Sequence, residues 1–268
     1  MTPKLTDPKA LLRNRARAQD SALFLHRTVR NEIEDRLTLV NRPFTKPVVV
    51  SPFPHVWDNF GAKIIPDSAT LDLDTNQHDL IIHALALHWA DDPLGQLIQC
   101  TRALQPDGLM MAVSFGGQTL HQLRSCLAEA EIAVSGGLSP RIVPMAEIRD
   151  LGALLQRAGL ALPVADTLPL NVSYASPLHL MRELRYMGEG NALNDRLRRP
   201  TSRQVLLQAA ALYSQRFGED DGRISAQFEL IFLHGWCPAD SQPKPLRPGS
   251  ASHRLADALQ TNESKLKD

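Results

Sequence analysis

Several features that would place a chain in a functional class at sight are scarce or missing here. Aromatic residues make up 5% of the 268, and the three cysteines, Cys100, Cys126 and Cys237, stand far apart and odd in number. With no CxxC pair and no cysteine–histidine spacing they offer no zinc site, and they fit buried thiols in a reducing compartment. Charge of one sign is also lacking: 29 basic residues face 29 acidic ones, so no global field draws the chain to nucleic acid or to an anionic membrane. No apolar run reaches the roughly 18 residues that a membrane span needs. The basic N-terminus lacks the apolar stretch of a signal peptide, and two early aspartates, Asp7 and Asp20, argue against a mitochondrial presequence. A cytoplasmic protein is expected. No two-histidine, one-carboxylate spacing stands out, so no metal is expected.

What is present is ample apolar content, 43% of residues, arranged in alternation. Residues 8–40 read as helix, with Leu23, Leu25, Val29, Ile33 and Leu37 on one face. Val48–Val50 reads as a buried strand, 79–87 as a strand and its turn, 93–104 as a helix opening on a proline, and 109–117 as a second buried strand. The next helix begins at a capping box, Thr119 with Gln122, and stops at glycine. A helix over 145–159, a strand near 163–173, two polar helices near 176–188 and 200–217, and a last strand over 226–236 follow. Strands apolar on both faces, separated by helices, imply an α/β fold with a mostly parallel sheet covered on both sides. Three parts are expected: N-terminal helices over 1–40, a sheet domain over 41–236 carrying a helical insertion at about 176–217, and a proline-rich tail over 237–268 with a short helix at "RLADAL".

The pieces "LALHWADD", "LQPDG", "FGGQTLHQLR", "GGLSPRIVP", "DLGALLQRAG", "YASPLHLMRELRYMGEGNAL" and "KPLRPGSA" occur in that order. Together they resemble the class I S-adenosylmethionine-dependent methyltransferases of type 11. More narrowly, they are similar to the methyltransferase-like complex I assembly factors and their α-proteobacterial relatives, close to the malonyl-carrier-protein methyl ester synthases of biotin synthesis. The resemblance runs from about residue 8 to about residue 257. It implies a Rossmann-like sheet with helices on both faces, extra helices before the last strand, and a last strand pair that is antiparallel.

Set against that family, one stretch departs. The family places a D-x-G-x-G-x-G loop after its first strand, where glycines let the backbone approach the cofactor and feed a helix N-terminus. Here Val50 is followed by Ser51, Pro52, Phe53, Pro54, His55, Val56 and Trp57, with no glycine before Gly61. Two of these residues are prolines without an N–H. Thirteen residues separate Val50 from Ile64, too few for a helix, a second strand and another helix, so the second strand is expected to be absent and 51–75 mostly irregular. Trp57, with Phe53 and Phe60 beside it, is placed to plug the vacated space. The resemblance therefore implies a protein that has lost S-adenosylmethionine and binds a client, such as a complex I subunit. An active methyltransferase with a remodelled site, or an arginine hydroxylase like a eukaryotic member of the family, are the alternatives.

Of the cofactor set only an edge remains, His88, Trp89 and Asp91, just beyond the end of a strand, where open α/β sheets bind ligands. His88 is open to a proton-transfer role as much as to packing, Asp92 before Pro93 reads as a helix cap, and His83, mid-strand, as a core histidine. Substrate or partner contacts are expected from Gly116, Gly117, Arg124, Arg141, Glu189 and Asn191. Arg141 is open to pairing with a local carboxylate instead, and the arginines of 181–200 to lying on a solvated face among Glu183, Glu189 and Asp195. No catalytic residue is assigned.

Overall fold

The computed structural model describes residues 4–243 and 255–261. The described residues up to 238 make one compact unit, and those from 239 on, 239–243 and 255–261, belong to a second, small one that holds the helix Leu255–Ala258, within the "RLADAL" segment.

The first unit is built on six strands: β1 Pro47–Val50, β2 Lys63–Ile65, β3 His78–Ala84, β4 Leu104–Phe115, β5 Ala161–Tyr174 and β6 Ile224–Trp236, in the order β2-β1-β3-β4-β6-β5. The first four run parallel, while β6 is antiparallel to both β4 and β5. Alternation along each strand divides the side chains between two cores. Val49, Leu80, Ile82, Met111, Val113 and Phe228 enter one core. Val48, Val50, Ile81, Met110, Ala112 and Ile231 enter the other. A strand buried on both faces needs a helical cover on each. The first core is covered by α2 Phe24–Thr38, α4 His121–Ser135, α6 Pro177–Tyr186 and α7 Arg203–Phe217, and the second by α3 Pro93–Ala103 and α5 Ile148–Arg157. Parallel strands closed by an antiparallel pair, with helices on both faces, are the class I methyltransferase arrangement.

Three expectations are corrected. The N-terminal helix is broken into α1 Pro8–Arg15 and α2, with a single turn at Asp20–Ala22 between them. No proline or glycine marks the break, which is held by a tertiary bond from the Gln19 N–H to the Tyr186 carbonyl at 2.7 Å. The capping box does not form. Thr119 Oγ1 donates to the Glu229 carbonyl and accepts from its N–H, at 3.1 and 3.0 Å, and Gln122 Oε1 accepts from the Gln227 N–H. These bonds extend the pairing of β6 past the end of β4, and β6 thereby takes both polar groups from the helix. A second strand is present: β2 has three residues and pairs with all of Val48–Val50. It is reached without a crossover helix, through the single turn Pro54–Trp57, so 51–75 is otherwise irregular as expected.

Candidate functional site at the carboxyl edge of the sheet

Three structures meet beyond the carboxyl ends of β1, β3 and β4. The first is the stretch after β1. Phe53, Val56 and Trp57 are all buried in the first core. Phe53 meets the His26 ring edge-on at 4.8 Å, Trp57 meets Phe60 at 5.1 Å, and Arg30 of α2 clasps the Val56 carbonyl at 2.8 Å. Five of the stretch's backbone donors are occupied as well. The N–H of Ser51 goes to the Ile65 carbonyl, that of Phe53 to Ser51 Oγ, and those of Val56, Asp58 and Phe60 to carbonyls three residues back. A pyrophosphate- or carboxylate-binding loop works by leaving such groups free. This one is a filled corner of the core.

The second is a buried charged cluster. His88 and Trp89 lie in a single turn, Leu87–Trp89, after β3. Trp89 Nε1 donates to Glu189 Oε2 at 2.7 Å, and His88 Nε2 lies 3.3 Å from the same oxygen. Burial by itself would raise the Glu189 carboxyl, but His88, Arg15 and His26 outweigh it and hold the group at about 2. Arg15 is paired to Asp67, just past β2, at 2.8 Å. Burial pushes His26 down to about 4, so at neutral pH it is uncharged and adds to the hold on Glu189 only in acid. Asp91 is taken up by the N-terminal segment, accepting from the N–H groups of Leu5 and Thr6 at 2.9 Å each. Asp92 caps α3 through the Gly95 N–H, and His83 is a core histidine held by Gln96 at 2.5 Å, both as the sequence suggests.

The third is a cavity of about 340 Å³. Its wall is apolar, with Phe115, Leu120, Leu123, Met181, Leu184 and Phe228, and Trp89, Arg141, Glu189 and Asn191 also face it. Arg141 makes two bonds to Glu131 at 2.9 and 2.7 Å and a third to Thr201 at 2.7 Å. The guanidinium, with Ser139, holds the Glu131 carboxyl at about 2 against burial. Asn191 braces the loop, donating to the Pro140 carbonyl and accepting from the Leu193 N–H. Arg124 does not reach this cavity but lines a neighbouring trough of about 280 Å³. Gly116 and Gly117 do not line it either. A Cβ on the first would strike the Glu229 carboxylate, and one on the second that of Glu147. These glycines leave room for side chains from β6 and from the start of α5.

The sequence brings Trp89, Arg141, Glu189 and Asn191 to one place, and leaves Gly116, Gly117, Asp91 and Arg124 outside it. It gives no sign of Arg15 and Asp67, 52 residues apart. His26, beside Leu25 on the apolar face of α2, carried the only available signal. Glu189 lies in the polar "GEG" run that reads as solvated, yet its side chain is 9% exposed. Trp89 also lines a second cavity, of about 480 Å³, with Lys4, Arg15, Asp67, Asp91 and Gln96. Among the described residues no group of three or more His, Cys, Asp or Glu is placed to hold a metal ion, and no helix is long and apolar enough to cross a membrane.

No protein-family model matches the chain. Among curated proteins it is 38% identical over 195 residues to the mitochondrial arginine-hydroxylase NDUFAF5 of Danio rerio, covering 72% of this chain and 60% of that one. The Homo sapiens protein of the same name is 36% identical over 189 residues, 70% of this chain and 54% of that one. The malonyl-[acyl-carrier protein] O-methyltransferase of Halorhodospira halophila is 32% identical over 173 residues, 65% and 57% of the two chains. The matches thus span less than two thirds of these relatives' own lengths. The YcgJ protein of Bacillus subtilis overlays with a TM-score of 0.49 at 12% identity, over 78% of this chain and 99% of that one.

Proposed function

We propose that this chain, a homologue of the NDUFAF5 proteins and of the malonyl-carrier-protein O-methyltransferases, is a methyltransferase-fold protein that no longer uses S-adenosylmethionine and serves as a protein-binding factor in complex I assembly. One observation carries the reading: the stretch after β1 holds aromatic side chains in the core and spends the N–H groups of Ser51, Phe53, Val56, Asp58 and Phe60 within the chain. Those residues do not fit a cofactor whose binding needs free donors and backbone clearance at that point. The three cysteines form no disulfide with one another and burial raises their thiols, which supports a reducing compartment such as the cytoplasm.

A second reading is an active methyltransferase with a remodelled site. The cavity of about 480 Å³ beside Trp89 and Asp67, at the same sheet edge, favours it. Calorimetric titration with S-adenosylmethionine and S-adenosylhomocysteine separates the two. The first reading expects no binding heat and no thermal shift, although a native-state ligand at a hundredfold excess over Kd stabilises by about 2.7 kcal/mol. Saturable micromolar binding overturns it. The assembly role is checked separately by affinity capture from cells that make complex I. Repeated capture without its subunits, together with normal complex I in a deletion strain, would remove the client.

A further inference from the structure

The mouth of the 340 Å³ cavity carries charge that the packing does not explain. Arg17, just after α1, and Arg185, on α6, are exposed, line the cavity, and have no acidic partner among the described residues. Arg124 on α4 is exposed in the same way over the adjoining trough, which shares Leu127, Arg141 and Ile142 with the cavity. Other exposed arginines, such as Arg102, Arg149 and Arg157, also lack an acidic partner among the described residues, but none of them lines this cavity or the trough. In a chain of zero net charge, two unpaired guanidinium groups over the cavity and a third over the adjoining trough make a local positive field. The wall beneath them is apolar. Its one carboxylate, Glu189, already accepts from Trp89 and lies against His88, so the floor does not call for a cation.

We infer that this trough docks an acidic segment of a partner protein, with one large apolar side chain in the cavity and carboxylates on Arg17, Arg185 and Arg124. The inference rests on the protein-binding reading above and names the chemistry of the partner. A recessed apolar anchor under a charged rim is how protein interfaces concentrate affinity, and the rim steers the approach. Guanidinium groups pair carboxylates with two parallel bonds. A nucleic acid would want stacking surfaces along a continuous basic groove, whereas here the basic groups rim a recessed apolar wall. A free fatty acid has a single anionic end, which would leave two of the three arginines unused.

Selection of a random-peptide display library on the full chain provides the test. Enriched peptides are expected to combine acidic residues with one Leu, Met, Ile or Phe, and their binding is expected to fall about tenfold or more in Arg17→Glu with Arg185→Glu. It should also fall in Met181→Trp, which fills the cavity, and in Leu184→Phe should the first variant unfold. Each variant is first checked for an unchanged melting point. Enrichment without acidic bias, no enrichment over a chain with the cavity filled, or equal binding by the charge-reversed variant overturns the inference. So does tighter binding of oleate or of a single-stranded oligonucleotide than of any selected peptide, with the same arginine dependence. A chain that binds S-adenosylmethionine yet selects acidic peptides leaves the docking site standing and overturns only the cofactor-free reading.

Discussion

Gly188 lies directly over Phe53. A Cβ on this glycine would stand 3.2 Å from the Phe53 ring carbon Cζ and 3.3 Å from the Arg15 Cα, and its φ is +85°. One residue of the "MGEGNAL" loop is thus the lid on the aromatic corner that follows β1, and the next, Glu189, is the acceptor for Trp89. The loop, the corner and the carboxyl edge of the sheet at Trp89 are one packed structure.

Gly188→Ala should therefore destabilise by about 1–3 kcal/mol, from left-handed backbone strain and a contact with backbone that cannot yield. Gly137→Ala is the control, with nothing within 4 Å and no positive φ, and should stay within about 0.5 kcal/mol. Urea denaturation of both measures the difference. Equal midpoints would mean that the loop does not hold the corner.

Phe53→Ala and Trp57→Ala each remove a large ring from the core, at 5% and 1% exposure. Each should cost about 3–5 kcal/mol. Neither should create S-adenosylmethionine binding, because the N–H groups of Ser51, Phe53 and Val56 stay bonded within the chain whether or not the rings are present. Binding gained by either variant, seen as a thermal shift, would show that the rings merely block a competent site.

The features of the fold that are legible in the sequence are those with local causes. Strand alternation, Pro93 and Asp92 at the start of α3, and Gly136 ending α4 each act within a few residues. What stayed hidden depended on long-range competition. Thr119 and Gln122 have the spacing of a cap, but β6 offers them unpaired backbone groups and takes them. Strand β2 is only three residues long, too short for any period to appear, and exists because Val48–Val50 present an open edge. In the site, Trp89 was readable from its place beyond a strand end, whereas burial of Glu189 follows from partners about a hundred residues away. Arg15 with Asp67 had no local signature at all.

Acid should weaken the fold in two steps. His26 sits at about 4 in the folded chain against an ordinary 6.5, so between these values the unfolded chain binds a proton that the folded chain refuses. Stability is fully present above about 6.5 and falls as pH drops to about 4, by on the order of 3 kcal/mol for a full shift. His83 and His234 are also lowered by burial, so they too take stability away as pH falls below 6.5. His26→Phe should flatten part of the slope of unfolding free energy between pH 6.5 and 4 in urea titrations. An unchanged slope would place the histidine in contact with solvent.

The second step belongs to the carboxylates, and Arg141 is the handle on it. Glu131 and Glu189 both sit at about 2 when folded, below an ordinary 4.5. Their depressed values add stability above about 4.5 that is lost as pH falls towards 2. Arg141→Met removes the main cause at Glu131 while leaving Glu189 with His88, Arg15 and His26. The Glu131 side chain is 7% exposed and that of Arg141 16%, so the abandoned carboxylate has little water to turn to. Some access remains, and Ser139 still donates to it, so the cost at pH 7 should be about 1–2 kcal/mol, below the roughly 3–5 kcal/mol of a fully buried broken pair. Glu131→Gln on that background should recover part of the loss, since an amide is cheaper to bury unpaired than a charge. Measured as a double-mutant cycle at pH 7 and again at pH 3, the coupling between the two residues should shrink at the lower pH, because titration toward 2 begins to remove the charge that Arg141 recognises. A coupling near zero at pH 7 would mean that Arg141 stands free, available for a ligand and not committed to Glu131.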